Sequence, residues 1–86
     1  MRLVVYTRRG CHLCDVVLEQ LQKLRQEFDF KVDEIDVDTD AALKESYGEQ
    51  VPVVMINGKI RFRGRMNEIL LKRVLRTESL RPREVR

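Results

Sequence analysis

The order of apolar runs, helical stripes and turn residues predicts an α/β domain with a four-stranded mixed sheet and helices on both faces. Three observations lead there. Leu3-Val4-Val5-Tyr6 and Val53-Val54-Met55-Ile56 are short apolar runs, as expected of strands covered on both sides. Leu13, Val17, Leu21, Leu24 and Phe28 recur at spacings of four, four, three and four, which lines one face of a helix. Asn57-Gly58 then separates two strand-like runs, a strong signal for a two-residue hairpin turn.

The elements follow in the order strand, helix, strand, helix, hairpin, helix. After the first strand, Thr7-Arg8-Arg9-Gly10 forms a loop, and the first helix is expected from Leu13 to Glu27. A second strand spans Phe30 to Val37. Asp36, Asp38 and Asp40 stand where a second helix should start, supplying cap oxygens and favourable charge at its dipole. That helix runs from Asp40 to Tyr47 and ends on Gly48, read as its C-cap. In Lys59-Ile60-Arg61-Phe62-Arg63 the apolar pair should share one face and the cations the other, with Gly64 breaking the strand. The last helix, Met66 to Arg76, is expected to turn Met66, Ile69, Leu70, Val74 and nearby leucines toward the core. An early βαβ unit implies a parallel pair and the hairpin an antiparallel one, hence a mixed sheet.

At 86 residues the chain holds one small core. The domain is placed at residues 1–76. Residues 77–86, basic and interrupted by Pro82, are expected to form a flexible tail. The net charge of +3 comes from interleaved acids and bases, unlike a nucleic-acid-binding patch. No run reaches signal-peptide or membrane-span length. A bridge between the two cysteines would close a tiny loop and add little stability, so their spacing points to a reducing cytoplasm rather than a stapled secreted domain. Nothing in the sequence demands a dimer, and a monomer is expected.

Those cysteines, in Cys11-His12-Leu13-Cys14, sit where the first strand gives way to the first helix. Cys11 falls at the helix N-terminus, where unpaired N–H groups and the dipole favour a thiolate. Arg8 and Arg9 add positive charge. Cys14, one turn in, should be shielded. The asymmetry suits a division of labour in which Cys11 attacks a substrate disulfide and Cys14 then resolves the mixed disulfide. Two inert thiols, or half of a zinc site, are the alternatives; zinc would need further ligands, and the chain has a single histidine. His12 either tunes the thiolate or is a solvated helix-start residue. Arg8 is the candidate for steering an anionic partner. Val51-Pro52 is either a strand start that needs no N–H donor or a cis peptide presenting Val51 backbone groups to substrate. Arg61 and Arg63 read as charges guarding an edge strand, and Arg65 as the better anion-binding candidate.

Taken together, Leu3-Val4-Val5-Tyr6-Thr7, the cysteine pair, Ile35-Asp36-Val37-Asp38, Tyr47-Gly48, Val51-Pro52-Val53 and Ile56-Asn57-Gly58 resemble the glutaredoxins, within the thioredoxin-like fold. The match covers nearly the whole domain and is closest to a branch of small glutaredoxin-like proteins bearing Cys-His-Leu-Cys. The resemblance implies a βαβαββα order, Cys11 as nucleophile, Cys14 as resolving thiol and Pro52 as a cis-proline facing them. It places Arg8 at the family's cation position, and Arg8, Val51, Gly64 and Arg65 are the candidates for substrate or glutathione binding. Three positions depart from the family pattern. His12-Leu13 replaces the usual Pro-Tyr, Gln50 replaces threonine, and Gly64-Arg65-Met66-Asn67-Glu68 replaces a double glycine with its acidic pair.

The function expected is a thiol–disulfide oxidoreductase reducing protein disulfides or glutathione mixed disulfides. It would hold no tight cofactor and no metal, and draw electrons from glutathione or a thioredoxin-reductase-type system. It would bind neither nucleic acid nor membrane. The alternatives are an iron–sulfur cluster or metal carrier and a non-catalytic thioredoxin-like binding module.

Overall fold

The computed structural model describes residues 1–80. Strand β1 (Arg2–Thr7) leads into α1 (His12–Leu24) and returns as β2 (Lys31–Asp36). A 3₁₀ turn (Val37–Thr39) precedes α2 (Ala41–Tyr47). The hairpin β3 (Val53–Ile56) and β4 (Lys59–Arg63) follows, and α3 (Glu68–Ser79) closes the domain. The strand order is β2-β1-β3-β4. β2 runs parallel to β1, with Arg2 opposite Lys31 and Thr7 opposite Asp36. β3 is antiparallel to β1, and β4 is antiparallel to β3. The sheet is therefore mixed, as the crossover and the hairpin together require.

Alternation along the strands sorts the core. Leu3 and Val5 pair with Ile56 and Val54, so these four side chains share a face, and all are 0% exposed. Val17, Leu21 and Leu24 of α1 and Leu71 and Leu75 of α3 pack against them. Each such side chain stabilises the fold by roughly 1.5–3 kcal/mol relative to exposure. The opposite face carries Tyr6, on which Tyr47 of α2 stacks at 4.8 Å between ring centroids.

Several boundaries differ from expectation, each for a physical reason. Helix α1 stops at Leu24 rather than Glu27, although Phe28 still packs on the core. Phe30 is also buried there, and six residues beyond Leu24 a continued helix would have turned it off the apolar stripe. Ile60 and Phe62 do not share a face. An irregularity between Val54 and Met55 pairs Phe62 with Val54 and Ile60 with Met55, and only Phe62 joins the core cluster.

Helix α3 begins at Glu68 because the Asn67 side chain accepts the Leu70 N–H at 3.1 Å, an N-cap. Its buried positions are Leu71, Leu75 and Glu78; Ile69 and Leu70, expected inside, are 73% and 47% exposed. Met66 is buried as expected, though it precedes the helix. The helix continues through Ser79, past the expected tail start at Thr77, and the tail's remaining residues 81–86 lie outside the described ones. Among the described residues no helix is long and apolar enough to cross a membrane.

Candidate active site

Four chain segments reach one end of the sheet. β1 and β2 finish there at Thr7 and Asp36, β3 starts there at Val53, and β4 ends there at Arg63. Tyr6 lies opposite Val53, so Pro52 sits level with Thr7 and the loop that leads to Cys11. Gly64 donates its N–H to the Pro52 carbonyl at 2.8 Å, which ties the end of β4 to the same point. Strands lie about 4.8 Å apart, so Gly64 is roughly 10 Å across the sheet from β1. The topology thus gathers Cys11, Cys14, Pro52, Val51, Gly64 and Arg65 at one end.

Gly10, at φ +78, occupies the left-handed region that glycine adopts without a Cβ penalty, and turns the loop into α1. Cys11 is the N-cap of that helix. Its sulfur accepts the Cys14 N–H at 3.1 Å, while its own N–H donates to the Arg8 carbonyl at 3.2 Å. Cys11 and Cys14 form a disulfide, with Cα atoms 5.2 Å apart. Cys11 is half-buried and Cys14 only 2% exposed. A donor aimed at Cys11, together with the helix dipole, favours negative charge on the outer sulfur and leaves the inner one shielded. His12, the first residue of α1, is exposed. The Val51–Pro52 peptide is cis, as the resemblance implies; Pro52 is buried and Val51 half-buried. Arg61, Arg63 and Arg65 are exposed, the first two along edge strand β4 and the third just past Gly64, whose φ is +71.

Arg8 occupies a different setting from the open cation expected of it. Its Nε and Nη2 donate to the two Asp38 oxygens at 3.0 Å each, and Nη1 donates to the Gly48 carbonyl at 2.9 Å. The Asp38 hydrogen bonds hold the guanidinium pKa above its usual value, with Glu49 and Asp36 adding to the effect. The same bonds pull the Asp38 carboxyl below the usual carboxylate range. Gly48 is buried beside this clamp with φ −54, so glycine is required there by space rather than by a left-handed cap. A Cβ at Gly48 would meet the Lys44 carbonyl oxygen at 2.5 Å and Arg8 Nη1 at 3.4 Å.

The remaining acids of the aspartate group are caps. Asp36 accepts the Asp38 N–H, and Asp40 accepts those of Ala42 and Leu43. Among the described residues no group of three or more His, Cys, Asp or Glu side chains is arranged to hold a metal ion. Asp38 and Gly48 as Arg8 partners, and Asn67 as a cap, go beyond what the sequence predicts. Asn67 does carry a local signal, a cap-type residue followed by Glu68 and an amphipathic stretch. The Arg8–Asp38 pair spans thirty residues and carried no local signal.

A C-x-x-C disulfide at the N-terminus of the first helix, level with a cis-proline on a mixed four-stranded sheet, defines the thioredoxin-like class. The chain belongs to the glutaredoxin-like domain family (DUF836), whose model matches residues 2–76. A protein of X. campestris, target XcR50, has an X-ray structure that superimposes with a TM-score of 0.74 at 32% identity, covering 87% of this chain and 96% of that one. A single-site mutant of thioredoxin from Halobacterium salinarum gives 0.64 at 27% identity, over 88% of this chain and 72% of that one. An uncharacterized Mycobacterium tuberculosis protein is 40% identical over 58 residues, which span 62% of this chain and 60% of the relative.

Proposed function

We propose that the protein is a thiol–disulfide oxidoreductase of the reducing cytoplasm that acts as a monomer on protein disulfides or mixed disulfides. The observation that carries this reading is the asymmetry of the pair. Cys11 is the half-buried helix cap whose sulfur accepts an N–H, and Cys14 is the buried partner one turn further in.

In the reducing direction the Cys11 thiolate attacks one sulfur of a substrate disulfide. A Cys11–substrate disulfide forms and the first substrate sulfur leaves as a thiolate, which takes up a proton. Cys14, losing its own proton, then attacks Cys11 Sγ. The protein disulfide forms and the second substrate sulfur leaves, also gaining a proton. Two electrons pass from the dithiol to the substrate. The Cys11–Cys14 disulfide is returned to the dithiol by glutathione or by a thioredoxin-reductase-type system.

Pro52 and Val51, level with the pair, are the backbone against which an extended substrate would lie, and Gly64 and Arg65 border the same end. Single-turnover oxidation of the reduced chain by a disulfide tests the reading. Cys11→Ser is expected to abolish the reaction and Cys14→Ser to stop at a stable mixed disulfide. Full activity in Cys11→Ser would overturn it.

A further inference from the structure

A cation three residues before a nucleophilic cysteine is well placed to attract anionic substrates, yet here that cation is engaged from the side. Three of the five Arg8 N–H donors are engaged: the Nε–Nη2 edge by the two Asp38 oxygens and one Nη1 hydrogen by the Gly48 carbonyl. A bidentate carboxylate of this kind matches the geometry that an incoming carboxylate would have to adopt. Asp36 and Glu49 add two further negative charges that act on the same guanidinium. Beside Cys14 a cleft of about 310 Å³ gathers Arg8 and Arg9 with Asp15, Glu34 and Asp36, so its carboxylates outnumber its cations even before Asp38 is counted.

We propose that Asp38 is a specificity-determining residue: it occupies the Arg8 fork in place of a substrate carboxylate, and thereby disfavours anionic disulfides such as oxidised glutathione relative to uncharged ones. The inference rests on the oxidoreductase reading and narrows its substrate class. Arg8 then serves as a positioning residue. Its carbonyl holds the Cys11 N–H, and its guanidinium pins the loop to the 3₁₀ turn and the end of α2.

The test uses the full chain, reduced, and measures its oxidation by oxidised glutathione and by bis(hydroxyethyl) disulfide, which carries no charge. In the first, glutathione thiols form as the protein disulfide forms; in the second, mercaptoethanol does. Asp38→Asn and Asp38→Ser are expected to raise the ratio of the two second-order rate constants, anionic over neutral, by about fivefold, the scale of one unmasked charge in a solvent-exposed setting. The double variant Arg8→Gln/Asp38→Asn should lose that gain.

An independent readout is the Arg8 Nε–H resonance during titration with oxidised glutathione. It should stay in place in the unaltered protein and move in Asp38→Asn. A ratio within about twofold of the unaltered protein's in both single variants would overturn the proposal. So would an Arg8 resonance of the unaltered protein that shifts with glutathione. Oxidation by neither disulfide would instead overturn the oxidoreductase reading, and the proposal with it.

Discussion

The two ends of the sheet are fastened by different chemistry. At the end away from the cysteines, Asn57 takes φ +50 in the hairpin turn and links three elements. Its N–H donates to the Arg2 carbonyl at 2.9 Å, its Oδ1 accepts the Arg2 N–H at 3.1 Å, and its Nδ2 donates to Glu78 at 3.3 Å. A neutral amide thus joins β1, the β3–β4 turn and the end of α3, beside a glutamate that is 7% exposed. At the cysteine end an ion pair does the fastening, half open to solvent, and each partner side chain is about one-third exposed. The Asn57 contacts to Arg2 carry no charge, although the Glu78 contact involves a carboxylate and Arg2 also pairs with Asp33 at 3.5 Å in an exposed ion pair. The ionic clamp responds to acid and salt. The turn end thus rests mainly on neutral amide hydrogen bonds, and the end that carries the dithiol on a bidentate ionic clamp.

Substitutions at the two ends should separate stability from chemistry. The largest effect is expected for Cys11→Ser, which should lower the disulfide-exchange rate by at least about 100-fold while the reduced form keeps its melting temperature. Asn57→Ala should do the reverse. Losing the left-handed preference and the Glu78 contact should cost about 2–3 kcal/mol in denaturant unfolding, with the exchange rate per folded molecule retained. Asn57→Gly keeps the turn geometry and loses only the side-chain bonds, so it should cost less, about 1 kcal/mol. Asn67→Ala, which removes the α3 cap, should also cost about 1 kcal/mol, read from the same unfolding curves.

The smallest effect is a pH dependence of the clamp. Asp38 has a lowered carboxyl pKa in the folded protein, so its pairing stabilises the fold above the unfolded value and is lost as pH falls through the folded one. The melting-temperature gap between the unaltered protein and Asp38→Asn should therefore be full at neutral pH and close as acid protonates Asp38. A gap that persists through that titration would assign the effect to packing instead.

Much of this architecture was legible in the chain. β3 and β4 lie where the apolar run and Asn57-Gly58 place them, because a strong two-residue turn fixes the strands that flank it. The cysteine pair was equally legible, since the strand before it and the helix after it both have local signatures. The failures share a cause in long-range geometry. The register irregularity that parts Ile60 from Phe62 depends on how β3 meets β4. The exposure of Ile69 and Leu70 depends on which face of α3 meets the sheet, and residues at 71, 75 and 78 took that face. Nothing near Arg8 in sequence discloses that the chain returns with Asp38, so the sequence alone leaves that cation open.

The Tyr6–Tyr47 stack has a practical use. The chain contains no tryptophan and two tyrosines, and these are the two that stack. All of its tyrosine emission therefore comes from one contact between β1 and α2, the helix that ends beside the Arg8 clamp. The protein carries its own optical gauge of that region, and events there can be followed by tyrosine fluorescence without an attached label.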